Sequence, residues 1–187
     1  MNIITCINER SSVRRYKPSA LLNRQIIESL VLLGMRAPSP KNRQPWKVIH
    51  VSGESKVQFV EVGFQCLSKF KEAKTHYGSL EISLHAMSTA SDLLFVYNPY
   101  DDLPGYHSVW EKSDLQSIGA FIEHILLGAK EKGLGSLWMN DVYFIQKETK
   151  EFLRIDHDVQ AVIALGDPDG GWYPRPRKSL EEVLSFY

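Results

Sequence analysis

The chain has 187 residues, 22 Lys+Arg against 22 Asp+Glu, and 43% apolar residues. That length suits one domain over residues 1–187, and a net charge of zero lacks the basic surplus by which nucleic-acid binders release counterions. No apolar run approaches the ~20 residues of a membrane span, the opening MNIITCINERSSVRRY lacks a signal peptide's apolar stretch, and Cys6 and Cys66 stand apart with no CxxC. The expectation is a cytoplasmic globular protein with no metal site, no nucleic-acid partner and no membrane segment.

In chain order, the first pattern is Arg10-Ser11-Ser12-Val13-Arg14-Arg15-Tyr16-Lys17. An extended stretch sends Arg10, Ser12 and Arg14 to one side, because side chains alternate with period two. Two guanidinium forks and a hydroxyl there suit a phosphate or the polar edge of a heterocycle; a solvated basic turn is the alternative. Asn23 to Ala37 repeats apolar residues at helical spacing, which predicts a helix capped by Asn23 and ended by Pro38. The next stretch, Ala37-Pro38-Ser39-Pro40-Lys41-Asn42-Arg43-Gln44-Pro45-Trp46, contains three prolines that exclude helix. Such a stiff polar loop is either a ligand wall or a structural turn. WKVIHV (46–51), SDLLFVY (91–97) and VQAVIALG (159–166) predict strands, and residues 57–74 and 79–90 predict helices.

A further helix is expected from Ser113, where Ser113 and Gln116 form an S-x-x-Q capping box, to a stop at Gly133. Its apolar positions cover most of the circumference. It is therefore a central core helix or one that also packs across a homodimer seam, with Gly119, Ala120 and Gly128 admitting a close neighbour. Gly133-Leu134-Gly135-Ser136-Leu137-Trp138-Met139-Asn140-Asp141 follows, where two glycines before Trp138 could bring backbone against a flat ring. The tail holds Arg175-Pro176-Arg177-Lys178, again two arginines in an extended setting, before a Ser179/Glu182 capping box. No HExxH, GxSxG, P-loop or DxDxDG motif occurs, the six histidines show no ligand spacing, and Asp101-Asp102 and Asp167-Pro-Asp169 read as turns.

Strands interleaved with helices, without a regular βαβ rhythm, predict an α+β or three-layer sandwich fold. Taken together, the four segments resemble the FMN-dependent nitroreductases. The likeness lies in an Arg-x-Ser-x-Arg start after a short helix, a helix running into Ala-Pro-Ser-x-x-Asn-x-Gln-Pro-Trp, a helix running into Gly-Leu-Gly-Ser-x-Trp, a late strand ending in Gly, and an Arg-Pro-Arg-Lys-Ser-Leu-Glu-Glu-Val tail. The resemblance implies a three-layer α+β sandwich with a mostly antiparallel central sheet, and an interleaved homodimer with FMN bound at the interface.

Position by position, it implies flavin contacts at Arg10, Ser11, Ser12 and Arg14. Arg10, Arg175 and Arg177 would hold the phosphate, and Arg14 would lie nearer the pyrimidine edge. Pro38, Ser39, Pro40 and Asn42 would come from the partner protomer, and Trp138, Met139 and Asn140 would line the ring. The implied activity is a ping-pong oxidoreductase, in which NADPH or NADH reduces FMN and a small-molecule acceptor such as a nitroaromatic or quinone reoxidises it, with no catalytic side chain needed. The alternative is a flavin carrier or sensor with little turnover. Two departures stand out: Pro40 replaces a small residue, and Met139-Asn140-Asp141 replaces an Ile-Gly-Gly-like run. No flavin contact is assigned between residues 64 and 80. The segment 97–110 (YNPYDDLPGYHSVW) is specific to this chain, with aromatic residues suited to stacking on a planar acceptor or to packing at a dimer surface.

Overall fold

The computed structural model describes residues 1–103, 105–106 and 108–187. The two most continuously apolar runs form the middle of the sheet. β2 (Asp92–Tyr97) and β4 (Val159–Gly166) are covered on both faces, which is why their sequences do not alternate. β1 (Lys47–Ser52) flanks β2 and β3 (Gly135–Met139) flanks β4, giving the order β1-β2-β4-β3 with every pairing antiparallel.

Successive side chains of the central strands enter two separate cores. Leu93 and Phe95 join Val162 and Ala164 on one face, beneath α3 (Gly53–Glu72), α4 (Leu80–Thr89) and α6 (Gln146–Leu153). Leu94 and Val96 join Ala161 and Ile163 on the other, beneath α2 (Arg24–Gly34) and α5 (Ser108–Glu131). The result is the expected three-layer α+β sandwich. A short α1 (Ile3–Glu9) rests on α5.

Local chemistry explains most boundaries. The Asn23 side chain accepts the Ile26 N–H at 2.9 Å and so caps α2, as its position predicts. Gly133, at φ +76°, ends the turn after α5, with its N–H on the Lys130 carbonyl. The start of α5 differs from the expectation. The helix is already formed at Ser108, and Ser113 caps nothing; its hydroxyl donates to the Trp110 carbonyl one turn back (2.9 Å), as Ser117 does to Ser113 (2.8 Å). At the tail, Glu182 accepts the Ser179 N–H (2.9 Å) as a capping box would, yet only a single turn follows.

Gly128 makes its close approach inside the chain: a Cβ there would stand 2.5 Å from Leu33 Cδ1, so the missing side chain lets α2 settle on α5. On the same side of the sheet, Phe121 of α5 stacks on Trp46, just before β1, with ring centres 5.0 Å apart. β3, α6 and the 3-10 turns at Pro40–Asn42 and Asp141–Ile145 are not predicted from the sequence.

One buried carboxylate ties the sheet to the segment before α2. Asp92 is fully buried; Oδ1 lies 2.7 Å from His50 Nε2 and Oδ2 accepts the Leu22 N–H at 3.0 Å. Burial pushes the carboxyl's pKa up, but the hydrogen bonds from His50, Leu22 and Ser91 outweigh it and hold the group below its ordinary value. A depressed folded pKa contributes stability that is complete above the unfolded value of about 3.9 and is lost as pH falls through the folded one. Asp92→Asn is therefore expected to reduce urea resistance at pH 7 and to flatten the loss of stability between about pH 5 and pH 2, measured by urea titration at each pH.

Candidate functional site

Residues 12–17 run extended along the outer side of β3 and the turn after β4. Ser12 pairs with Ser136 in a parallel bridge, the Val13 N–H donates to the Ser136 carbonyl (3.0 Å), and the Lys17 N–H donates to the Asp167 carbonyl (2.9 Å). Val13 and Tyr16 turn inward, and the Tyr16 hydroxyl donates to the Val13 carbonyl (2.9 Å). Burial raises the phenol's pKa, so it stays protonated. The room for these two side chains comes from Gly135, where a Cβ would lie 2.9 Å from Val13 and 3.2 Å from Tyr16. The glycine read as a seat for a flat ring thus seats the protein's own segment. Because Ser11 and Val13 face in, Ser12 and Arg14 face out, as the period-two reading requires.

The tail comes to meet this segment. Lys130 on α5 is 2% exposed; its Nζ pairs with Glu9 (3.1 Å) and sits 3.8 Å from the centre of the Trp172 ring. The next residue, Tyr173, donates its N–H to Ser11 Oγ at 3.1 Å. From there Arg175 and Arg177 reach a cavity of about 80 Å³ shared with Arg10, Ser11, Ser12, Arg14 and Tyr173. A larger cleft of about 520 Å³, lined by Arg14, Arg15, Asp169 and Pro174 among others, lies alongside.

The electrostatics of this cavity are one-sided. Arg10 is partly balanced by Glu123 (3.3 Å). Arg14, Arg175 and Arg177 have no acidic partner among the described residues; Arg177 donates only to the Arg175 and Pro176 carbonyls and Arg14 only to the Ser12 carbonyl. Guanidinium groups so gathered suit an anion able to accept bidentate hydrogen bonds. Tyr173 lines the same cavity and was not singled out in the sequence; its position between Gly-Gly and Arg-Pro-Arg is the only available sign.

The other candidate residues sit apart from this cavity. Trp138 is part-exposed on β3, with its ring edge 3.5 Å from where a Cβ on Gly119 would be. Met139 is buried in the core, and its strand position pairs with Val162. The Asn140 amide donates to the Gln160 carbonyl (2.9 Å) and to Tyr143 Oη (3.3 Å). Pro38, Ser39, Pro40 and Asn42 occupy the loop before β1. That loop meets α5 through Arg43 and Asp114, whereas Arg10 meets α5 at Glu123, roughly 13 Å further along the helix axis.

The loop is strained. Lys41, Asn42 and Gln44 all adopt left-handed backbone, with φ of 52°, 53° and 50°, a conformation costing about 1–3 kcal/mol for each such residue. The Ser39 hydroxyl accepts the Gln44 N–H (3.0 Å) across it. Beyond it, Arg43 forks onto Asp114, and Tyr106, beside Asp114, has its phenol pushed up to about 12 by burial and that carboxylate. In the same 97–110 segment, His157 pairs with Asp101 (2.7 Å) and stacks on Tyr97; Pro104 and His107 lie outside the described residues.

The nitroreductase family model matches residues 7–167. The chain belongs to the nitroreductase family. A protein of Archaeoglobus fulgidus that carries the name NADH dehydrogenase/NAD(P)H nitroreductase is 29% identical over 182 residues, covering 95% of this chain and 88% of that protein. Among solved structures, a nitroreductase-type protein of Desulfovibrio desulfuricans in complex with FMN has a TM-score of 0.79 at 21% identity, covering 100% of this chain and 97% of the other. An FMN-dependent nitroreductase of Mycobacterium smegmatis, in complex with NADPH, has a TM-score of 0.80 at 15% identity, covering 98% and 97%. These confirm the fold. No helix among the described residues of this family member is long and apolar enough to cross a membrane.

A cavity in which Arg14, Arg175 and Arg177 lack acidic partners among the described residues is expected to bind small oxyanions. Sulfate is expected to raise the melting temperature above that in sodium chloride of equal ionic strength, by mass action on the folded state. Arg175→Ala/Arg177→Ala should abolish the difference, as read by differential scanning fluorimetry.

Proposed function

We propose that the protein is an FMN-dependent oxidoreductase that accepts electrons from NADPH or NADH and delivers them to a small acceptor, a nitroaromatic or quinone, in a ping-pong cycle. The observation that carries this reading is the meeting of Arg14, Arg175 and Arg177, without acidic partners, in a chain of this family. FMN fits that donor set: its phosphate brings up to two negative charges and several acceptor oxygens, which match guanidinium forks. Bound there, FMN supplies two-electron chemistry on its ring.

The protein's own work is then binding and electrostatics. Arg10, Arg175 and Arg177 hold the phosphate, with the Ser11 hydroxyl keeping the Tyr173 backbone, and so the tail, in place. Ser12 and Arg14 face the pyrimidine edge, where a fixed positive charge favours added negative charge on the ring. Trp138, the Met139 backbone and Asn140 border the ring, and no side chain is asked to act as nucleophile or base.

We further propose a homodimer in which the loop Pro38–Asn42 of one protomer completes the site of the other. Ile3, Ile4 and Ile7 of α1, with Leu32, Leu33 and Met35 at the end of α2, leave an exposed apolar surface around a cavity of about 450 Å³. Leu180, Val183 and Phe186 of the tail are exposed as well. That much apolar surface is what a partner of the same kind covers.

The purified protein is expected to show flavin absorbance that bleaches on anaerobic addition of one or both nicotinamide donors and returns when a quinone is added. Bound flavin that neither donor reduces would instead mark a carrier. Arg175→Ala and Arg177→Ala should each raise the FMN dissociation constant about 10- to 100-fold, from a loss of roughly 1.5–3 kcal/mol per charged contact. Arg14→Ala should weaken FMN and lower its midpoint potential; an unchanged potential removes Arg14 from the ring edge. In light scattering the protein should have twice the 21.4 kDa chain mass, and Ile7→Asp/Leu33→Glu should give a flavin-free monomer.

A further inference from the structure

Asp114 has no place among the residues that hold a phosphate or border a ring, yet among the described residues it is the carboxylate that accepts the most hydrogen bonds. It is fully buried in the first half of α5. Arg43 Nε reaches Oδ1 at 3.1 Å and Nη2 reaches Oδ2 at 2.9 Å, a bidentate fork. Oδ2 also accepts from Tyr106 Oη (3.2 Å) and Asn98 Nδ2 (3.3 Å). One carboxylate thus gathers two separate segments, the loop before β1 and the connection after β2.

The guanidinium of Arg43 is held from above as well, 4.7 Å from the Trp110 ring centre and 5.6 Å from that of Tyr100, while Lys41 Nζ lies 5.1 Å from Trp110. Tyr100 and Trp110 of the 97–110 segment are therefore turned onto the loop. Arg43 is also the one residue in regular right-handed backbone among the left-handed Lys41, Asn42 and Gln44. A backbone of that kind persists only where its surroundings over-determine it, and the fork on Asp114 grips the loop at its centre. With Asp114 uncharged, two cations two residues apart would remain with no buried counter-charge.

We propose that Asp114 is a positioning residue that, through Arg43, fixes the left-handed Lys41–Gln44 turn presenting Ser39 and Asn42 as a wall of the flavin site. The flavin half of this statement rests on the functional reading above; the clamp half does not. Asp114→Asn keeps the shape of the side chain and removes its charge. Arg43→Lys keeps a charge and removes the fork, and serves if the first variant folds poorly.

The test compares both variants with Asp92→Asn, which removes a different buried carboxylate at a distance from the loop. In flavin-free protein, amide exchange at Asn42, Arg43 and Gln44 should quicken by about 10-fold or more in the Asp114 and Arg43 variants and stay unchanged in the Asp92 variant, even where all three lose similar thermal stability. With FMN added, the same two variants should show a dissociation constant raised about 10-fold and altered visible circular dichroism of the flavin. Loop exchange as slow as in the wild type overturns the clamp. Faster exchange with unaltered FMN affinity and dichroism overturns the flavin role. A wild-type protein that takes up no FMN overturns the functional reading and the flavin role together, while the exchange measurement still decides the clamp.

Discussion

A charge buried against a helix must find its counterpart, because leaving it unpaired costs several kcal/mol. α5 carries two such charges, Asp114 and Lys130, and a half-exposed third, Glu123. Each seizes a different peripheral segment: Asp114 takes Arg43, Glu123 takes Arg10, and Lys130 takes Glu9 and the face of Trp172. Three ionic contacts spaced along one helix thus add to the backbone pairing of residues 12–17 with β3 and to the Ser11–Tyr173 bond in positioning the polar segments of the site. The packing seam between α2 and α5, closed by the absence of a side chain at Gly128, keeps that helix itself immobile.

A neutral chain can hold a strongly cationic cavity because its charges are unevenly placed. Among the described residues six of the 22 lysines and arginines form ion pairs, such as Arg24 with Glu28, Lys71 with Glu81 and Lys150 with Asp158, and surface pairs of that kind contribute little to stability. What sets Arg14, Arg175 and Arg177 apart from the other unpaired cations is that the fold brings them to one cavity. The family match covers residues 7–167, whereas Arg175 and Arg177 lie beyond it, so family membership and this local cluster are separate observations.

Legibility in the sequence followed the physics of each signal. β2 and β4 were readable because a strand buried on both faces writes a continuous apolar run, and α2 because Asn23 caps it. The arginine pairs were readable as pairs, since alternation and proline keep Arg10 with Arg14 and Arg175 with Arg177 on extended chain. The start of α5 was misread because Ser113 and Gln116 imitate a cap that mid-helix serines do not supply. β3 was missed because five residues with a leading glycine carry little strand signal. The left-handed turn at Lys41, Asn42 and Gln44 was invisible for want of a glycine. The grip of Asp114 on Arg43 was invisible too, since nothing local connects residues 71 positions apart.

The bond between Ser11 and Tyr173 closes a loop of 162 residues. Contacts of such separation form late, after the intervening chain has paid its ordering entropy. During synthesis the sheet can be complete at Gly166 while the cavity does not yet exist, because half of its guanidiniums are still to be made. On the proposed function, ligand capture is in this way deferred until the rest of the domain has been built, and the cavity becomes a report on the integrity of both chain ends, each of which supplies half of its guanidiniums.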